Sequence, residues 1–181
     1  MGKVYCVDGH DGSGKTSIAT AAAEAMGVKY VHFYKNYRIK YSIDPLSIPV
    51  KKFITLTKNA LENSLQQNHD MVLDRGLIVP LSVLPKENWD EFGEYFDKIP
   101  TVLCYSDVPT TVARLRSREV DESGWYDNAK WSRINTEIAK HFGVPIIDTS
   151  AEPSLNKNVE TALKLFRCRI GSNPAEKERQ L

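Results

Sequence analysis

The stretch Lys3-Val4-Tyr5-Cys6-Val7-Asp8-Gly9-His10-Asp11-Gly12-Ser13-Gly14-Lys15-Thr16-Ser17 decides the fold. Within it, residues 9–16 match the pattern G-x-x-x-x-G-K-[ST] at every position. Gly9, Gly12 and Gly14 let the backbone turn so that successive N–H groups converge on one concavity, a shape made for phosphate oxygens. Lys15 is placed to reach the β- and γ-phosphates, and the Thr16 hydroxyl to ligate Mg²⁺. Ser13 and Ser17 flank these groups in the same turn. The context agrees with the motif. An apolar, β-prone run precedes it, and the alanine-rich segment from Thr16 to Met26 that follows favours helix. An anion at the start of that helix would meet the positive end of its dipole.

Working outward, apolar runs alternate with helical ones. Strands are expected near 3–8, 28–34, 70–74, 101–105 and 144–148, and helices near 15–26, 50–68, 87–97, 109–119, 128–141 and 155–169. Such alternation implies right-handed crossovers and a parallel sheet covered on both faces, with ligands bound at the carboxyl ends of the strands. Gly27 and Gly143 follow helical runs where a left-handed terminator is common, and Pro80, Pro85, Pro100 and Pro109 read as breaks between elements. Phe53, Leu56, Ala60 and Leu61 recur at helical spacing and read as a face packed on the sheet.

The 181 residues suit one domain with one sizeable core. The charges nearly cancel, 24 Lys and Arg against 23 Asp and Glu, so no global field draws in nucleic acid or a membrane surface. No apolar run reaches the ~20 residues of a membrane helix. The chain enters its first strand at once, so no leader is expected. The three cysteines, Cys6, Cys104 and Cys168, form no Cys-x-x-Cys pair and suit a reducing, cytoplasmic setting.

A second constellation is Met71-Val72-Leu73-Asp74, an apolar strand ending in a carboxylate. Beside a phosphate loop such an Asp holds Mg²⁺. Arg75 follows directly, and its guanidinium can grip phosphate oxygens in pairs or form an ion pair with Asp74. Further on, Arg114, Arg116 and Arg118 crowd one helix, with Arg114 and Arg118 on a shared face. The segment Tyr30 to Tyr41 interleaves aromatics with cations, as a stacking and phosphate-holding surface would, or as a half-buried strand running into a loop.

In combination these motifs resemble thymidylate kinases. The loop from Val7 to Thr16 with an acid inside it, the pair Asp74-Arg75, the turn Asp107-Val108-Pro109, the arginines and Ile147-Asp148-Thr149-Ser150 occur in matching order across residues 3–170. The resemblance implies an α/β three-layer sandwich of the P-loop NTPase type. Its five-stranded parallel sheet would be flanked by helices in a single domain, residues 1–171. An Arg-rich lid would span about 116–128, followed by a polar tail, 172–181. It implies ATP as donor with Mg²⁺ on Thr16 and Asp74, an ATP site extended by Arg114 and Thr149, and Lys15, Arg75 and Arg118 as the charges acting on the transferred group. It implies an acceptor site formed by Asp11, Phe53 and Arg75, a (deoxy)nucleoside monophosphate as acceptor, and it admits a homodimer. Two positions depart from the family pattern. Gly76 stands where Tyr or His follows Asp-Arg, and Tyr34-Lys35-Asn36-Tyr37-Arg38 stands in place of Arg-Glu-Pro-Gly. The acceptor therefore stays open between a monophosphate, a deoxynucleoside and a nucleic-acid end or modified base, with near-neutral charge against a strand. A non-catalytic nucleotide-binding regulator is a further alternative. A phosphate acceptor brings its own anionic nucleophile, whereas a nucleoside needs a base, for which Asp8 is the candidate.

Overall fold

The computed structural model describes residues 1–36, 47–117 and 125–170, the side chains of 125–127, 169 and 170 excepted. Arg118, most of the expected lid, Tyr37, Arg38 and Tyr41 of the aromatic-cationic segment, and the tail lie outside the described residues. The strands are β1 (Val4–Gly9), β2 (Lys29–His32), β3 (Met71–Asp74), β4 (Thr101–Tyr105) and β5 (Ile146–Asp148). They form one parallel sheet in the order β2-β3-β1-β4-β5, so the loop-bearing strand is central and fully buried. The helices are α1 (Lys15–Met26), α2 (Val50–Leu65), α3 (Ile78–Ser82), a 3-10 segment (Lys86–Phe92) running into α4 (Gly93–Lys98), α5 (Val108–Arg116), α6 (Trp125–His141) and α7 (Leu155–Ile170).

The period of two along each strand sorts side chains into two cores. Tyr5, Val7, Val72, Val102, Cys104 and Ile147 meet α1 and α7 through Ile18, Ala19, Ala22, Ala23, Ala162 and Phe166. Val4, Cys6, Met71, Leu73 and Leu103 meet the opposite layer, built from Phe53, Ile54 and Leu61 of α2, Leu77, Ile78 and Leu81, Trp89, Phe92 and Phe96, and Ile138 of α6. Each large side chain so buried is worth about 1.5–3 kcal/mol relative to exposure. The alanines of α1 hold its axis close to the sheet, which brings its first turn to the strand ends.

Asp8 continues the Val4-Cys6 face and is wholly buried. Its carboxylate accepts N–H bonds from Leu77 (2.9 Å), Ile78 (2.9 Å) and Val79 (3.2 Å), and Cys6 Sγ lies 3.0 Å away. These are amides at the opening of α3, which no helical turn can satisfy. A five-residue helix is too short to form unaided. Asp8 therefore caps α3 from the sheet face on which that helix packs. Burial pushes its carboxyl upward, against the thiol and the three amides. Asp8 is thus a structural post with both oxygens engaged, which corrects its reading as a base for a nucleoside acceptor.

Other corrections are local. Helix α3 was not expected, and Pro80 lies inside it, while Pro109 lies in the first turn of α5. Both occupy first-turn positions where no intrahelical N–H is required, so they start helices rather than separate elements. The helix expected at 50–68 ends at Leu65, and the one at 87–97 divides at Gly93.

Replacement D8A leaves three buried amides without an acceptor. It lowers unfolding free energy by roughly 3 kcal/mol or more, read by urea denaturation; a change below 0.5 kcal/mol would contradict the capping role.

Candidate functional site

The loop between β1 and α1 holds Gly12 at φ 78° and Gly14 at φ 79°, left-handed conformations that disfavour any side chain. At Gly12 a Cβ would also stand 2.9 Å from Thr111. Gly14 caps α1, and among the described residues no side chain caps this helix start. The first-turn amides, from Lys15 through Ser17, thus have neither an intrahelical nor a side-chain acceptor, and the helix dipole adds its positive end. This is an anion site by construction.

Lys15 is buried, with Nζ 3.2 Å from His10 O and 3.4 Å from Asp11 Oδ1. Burial and the Arg75 cation lower its proton affinity, while Asp11 and Asp74 oppose them. The parallel register Val7↔Asp74 sets the end of β3 beside the loop. Asp74 shares the face of Val72, toward α1, so its Oδ2 accepts the Thr16 hydroxyl at 2.8 Å. Tyr30 of β2 lies on the same face, and its hydroxyl donates to the same oxygen at 2.9 Å. Desolvation together with that carboxylate pushes the phenol up to about 12, so it stays a donor. Asp74 Oδ1 is buried without a hydrogen-bond partner. An orphaned carboxylate oxygen next to a threonine hydroxyl fits Mg²⁺, which favours one or two protein oxygens completed by phosphate and water. Among the described residues no group of three or more His, Cys, Asp or Glu offers an alternative metal cage.

Arg75 stands at φ 64°, the one non-glycine with positive φ among the described residues, and its N–H bonds to Val7 O at 3.1 Å. Such a backbone costs about 1–3 kcal/mol and persists where surrounding contacts impose it. It turns the guanidinium back over the loop, where Nη2 pairs with Asp11 Oδ1 while Nε is buried and unpartnered. Burial raises the Asp11 carboxyl, but the Lys15 and Arg75 cations outweigh it and hold it below the ordinary carboxylate range. Asp11 and Arg75 border a cavity of about 180 Å³, walled elsewhere by Tyr34, Val79, Val83, Trp131 and Asn135.

Arg114 is placed behind the loop. Its guanidinium donates to Gly12 O (3.1 Å), Thr149 Oγ1 (2.8 Å) and Thr149 O (2.8 Å). Thr149 Oγ1 lies 3.0 Å from both Ser13 O and Tyr105 O. The two residues expected around the nucleotide therefore tie α5 and the β5 turn to the loop's carbonyls.

The structure thus brings Gly9, Asp11, Gly12, Ser13, Gly14, Lys15, Thr16, Ser17, Asp74, Arg75, Arg114 and Thr149 into one region. Phe53 is not among them. It is 1% exposed in the core of α2 and absent from the cavity wall, a correction explained by its place on the sheet-facing stripe. The sequence marks Tyr30 only as one aromatic of the segment Tyr30 to Tyr41 and His10 only as a loop position. His10 is buried with Nε2 3.1 Å from Thr111 Oγ1, and burial with the Lys15 and Arg114 cations lowers it to about 4.

No known family profile matches the chain, and no curated protein sequence matches it. Solved structures do. The chain is similar to the YorR protein of Bacillus subtilis solved with phosphorylated GDP (TM-score 0.65, 13% identity, covering 91% of this chain and 96% of that one). It is similar to shikimate kinase from Acinetobacter baumannii in complex with shikimate (0.61, 15%, 96% and 96%). It is also similar to deoxyadenosine kinase from M. mycoides with the products dCMP and dCDP (0.56, 14%, 91% and 99%). At these identities the likeness is one of fold, and that fold is the P-loop kinase fold.

The depressed His10 gives an acid-side prediction. Between about pH 6.5 and 4 the unfolded chain protonates this histidine and the folded one does not, so stability falls as pH falls through that window. H10Q flattens this part of the stability curve, measured by denaturation at pH 7, 5.5 and 4.5. An unchanged slope would contradict the buried neutral histidine.

Proposed function

We propose that the chain is an ATP- and Mg²⁺-dependent kinase that transfers a phosphoryl group to a (deoxy)nucleoside monophosphate. The observation that carries this reading is Arg75, whose strained backbone holds a cation with an unpartnered Nε beside a cavity joined to the phosphate loop. A guanidinium with spare donors matches an anionic acceptor group. Among the described residues lining that cavity Asp11 is the one carboxylate, and Lys15 and Arg75 hold it ionised as their counter-ion. A low carboxyl is a weak base, which favours an acceptor that needs none. The resemblance to thymidylate kinases and the likeness in fold to kinases of several substrates support the same class of reaction.

In this reading the amides of residues 12–16 and Lys15 bind the β- and γ-phosphates and hold the γ-group in line with the acceptor. Thr16 and Asp74 would hold Mg²⁺, which when bound neutralises charge on those phosphates. Tyr30 keeps Asp74 Oδ2 occupied and so aims Oδ1. Arg75 positions the acceptor phosphate, and Asp11 orients Arg75 and faces the acceptor sugar. Arg118 and the segment 116–128 form a lid that excludes water and adds charge to the transferring group. The protein works in the cytoplasm on small nucleotides, as a monomer or homodimer.

The direct test is release of ADP from Mg-ATP with a panel of nucleoside monophosphates, nucleosides, shikimate and gluconate. Transfer to at least one monophosphate is expected, with R75A lowering its kcat/KM by about 10²–10³. Transfer confined to nucleosides or hydroxy acids, or tight ATP binding without transfer to any acceptor, would contradict the proposal. Y30F, in turn, raises the Mg²⁺ concentration needed for half-maximal ATP binding by about tenfold, the scale for groups that orient a metal ligand. An unchanged requirement, read by calorimetry, would remove Tyr30 from the site.

A further inference from the structure

Asn135 of α6 is 2% exposed, yet its Oδ1 is buried with no hydrogen-bond partner. Folded chains leave few such groups, because an unpaired buried carbonyl loses its hydration for nothing in return. Its place explains it. Asn135 is on the wall of the cavity that Asp11 and Arg75 border, and Trp131 stands one turn before it on the same helix face. Val79 and Val83 at α3 and Tyr34, which follows β2, line the cavity as well. The Asp11–Arg75 side is ionic, whereas α6 sets two amides, Asn128 and Asn135, on either side of Trp131, and of the two only Asn135 has a buried oxygen without a partner.

We propose that Asn135 is the specificity-determining residue for the acceptor and reads the hydrogen-bonding edge of its nucleobase. This rests on the nucleotide-kinase reading and names the part of the site that recognises the base. The amide carries a donor and an acceptor side by side and turns about χ2 at little cost. It can therefore pair with a base edge that presents an N–H next to an acceptor, in the two-point manner by which asparagine reads bases elsewhere. A polyol or hydroxy acid would leave the Trp131 ring, Val79 and Val83 without an apolar partner. A planar ring fills the same space well: a cavity of about 150 Å³ accepts benzene, and this one measures about 180 Å³. The phosphate is then held by Arg75 and the base by Asn135, and the cavity is the span between them.

The experiment compares acceptors with and without a base on the unaltered protein and on N135L. Binding of a nucleoside monophosphate and of deoxyribose 5-phosphate is measured by calorimetry in the presence of a non-hydrolysable ATP analogue. N135L should weaken the nucleotide about tenfold or more, reduce the spread of affinities among the four bases, and leave deoxyribose 5-phosphate within about twofold. KM for the nucleotide should rise more than kcat falls, with KM for ATP unchanged. Equal weakening of both acceptors marks a packing role and overturns the proposal, as does no weakening of either. Near-isosteric N135D, put through the same comparison, keeps the test decisive if N135L does not fold. Transfer to nucleotides by the unaltered protein with no base-dependent effect in either variant removes Asn135 alone. Absence of transfer to any nucleotide by the unaltered protein removes the nucleotide reading, and Asn135 with it.

Discussion

The pairing of β1 with β3, in the register Val4↔Met71 through Val7↔Asp74, is the constraint on which the rest depends. Side chains alternate along each strand, so a slip of one residue would turn Asp74 away from α1 and toward the opposite layer. In the observed register Asp74 meets Thr16 and Tyr30, Asp8 points the other way to α3, and Arg75 is left to turn back over the loop. The register is held by burial on both faces. Tyr5, Val7 and Val72 belong to one core and Val4, Cys6, Met71 and Leu73 to the other, and a slip would exchange them.

The site built on this register divides the work of charge. The loop gathers backbone dipoles and one ammonium around an anion, while Asp11, Lys15 and Arg75 form a compact cluster of opposite signs. Burial and the Arg75 cation lower the proton affinity of Lys15, and the two cations hold the Asp11 carboxyl low. Arg114 and Thr149 act from behind by fixing the loop's own carbonyls. The shape of the loop is thereby fixed by the protein's own contacts, and such preorganisation is what the proposed phosphoryl transfer asks of a protein.

Much of this was legible from the order of residues, and the reasons are physical. The phosphate loop is a local structure, so Gly9 to Thr16 carry it within one short stretch. The strands β1, β3 and β4 were visible because buried parallel strands are nearly unbroken apolar runs, and the edge strands β2 and β5 through their short β-prone runs between helical segments. What escaped notice was set by partners distant in the chain. Helix α3 is a single turn and a half, holds a proline, and exists because Asp8 caps it from nearly seventy residues away. Tyr30 reaches Asp74 only through β2–β3 pairing. Phe53 looked free to line a pocket because helical spacing shows a packed face without saying which residue lies deepest. Asn135 gave no signal, since a polar residue on an amphipathic helix reads as solvated until the cavity beside it is known.

The central claim is that the turn between β1 and α1 wraps the phosphates of a nucleotide. A crystal structure with Mg²⁺ and a non-hydrolysable ATP analogue tests it most directly. The account predicts the β- and γ-phosphate oxygens within hydrogen-bond distance of the amides of residues 12–16 and of Lys15 Nζ, with the metal between Thr16 and Asp74. A nucleotide seated elsewhere, or a turn that binds none, would contradict it.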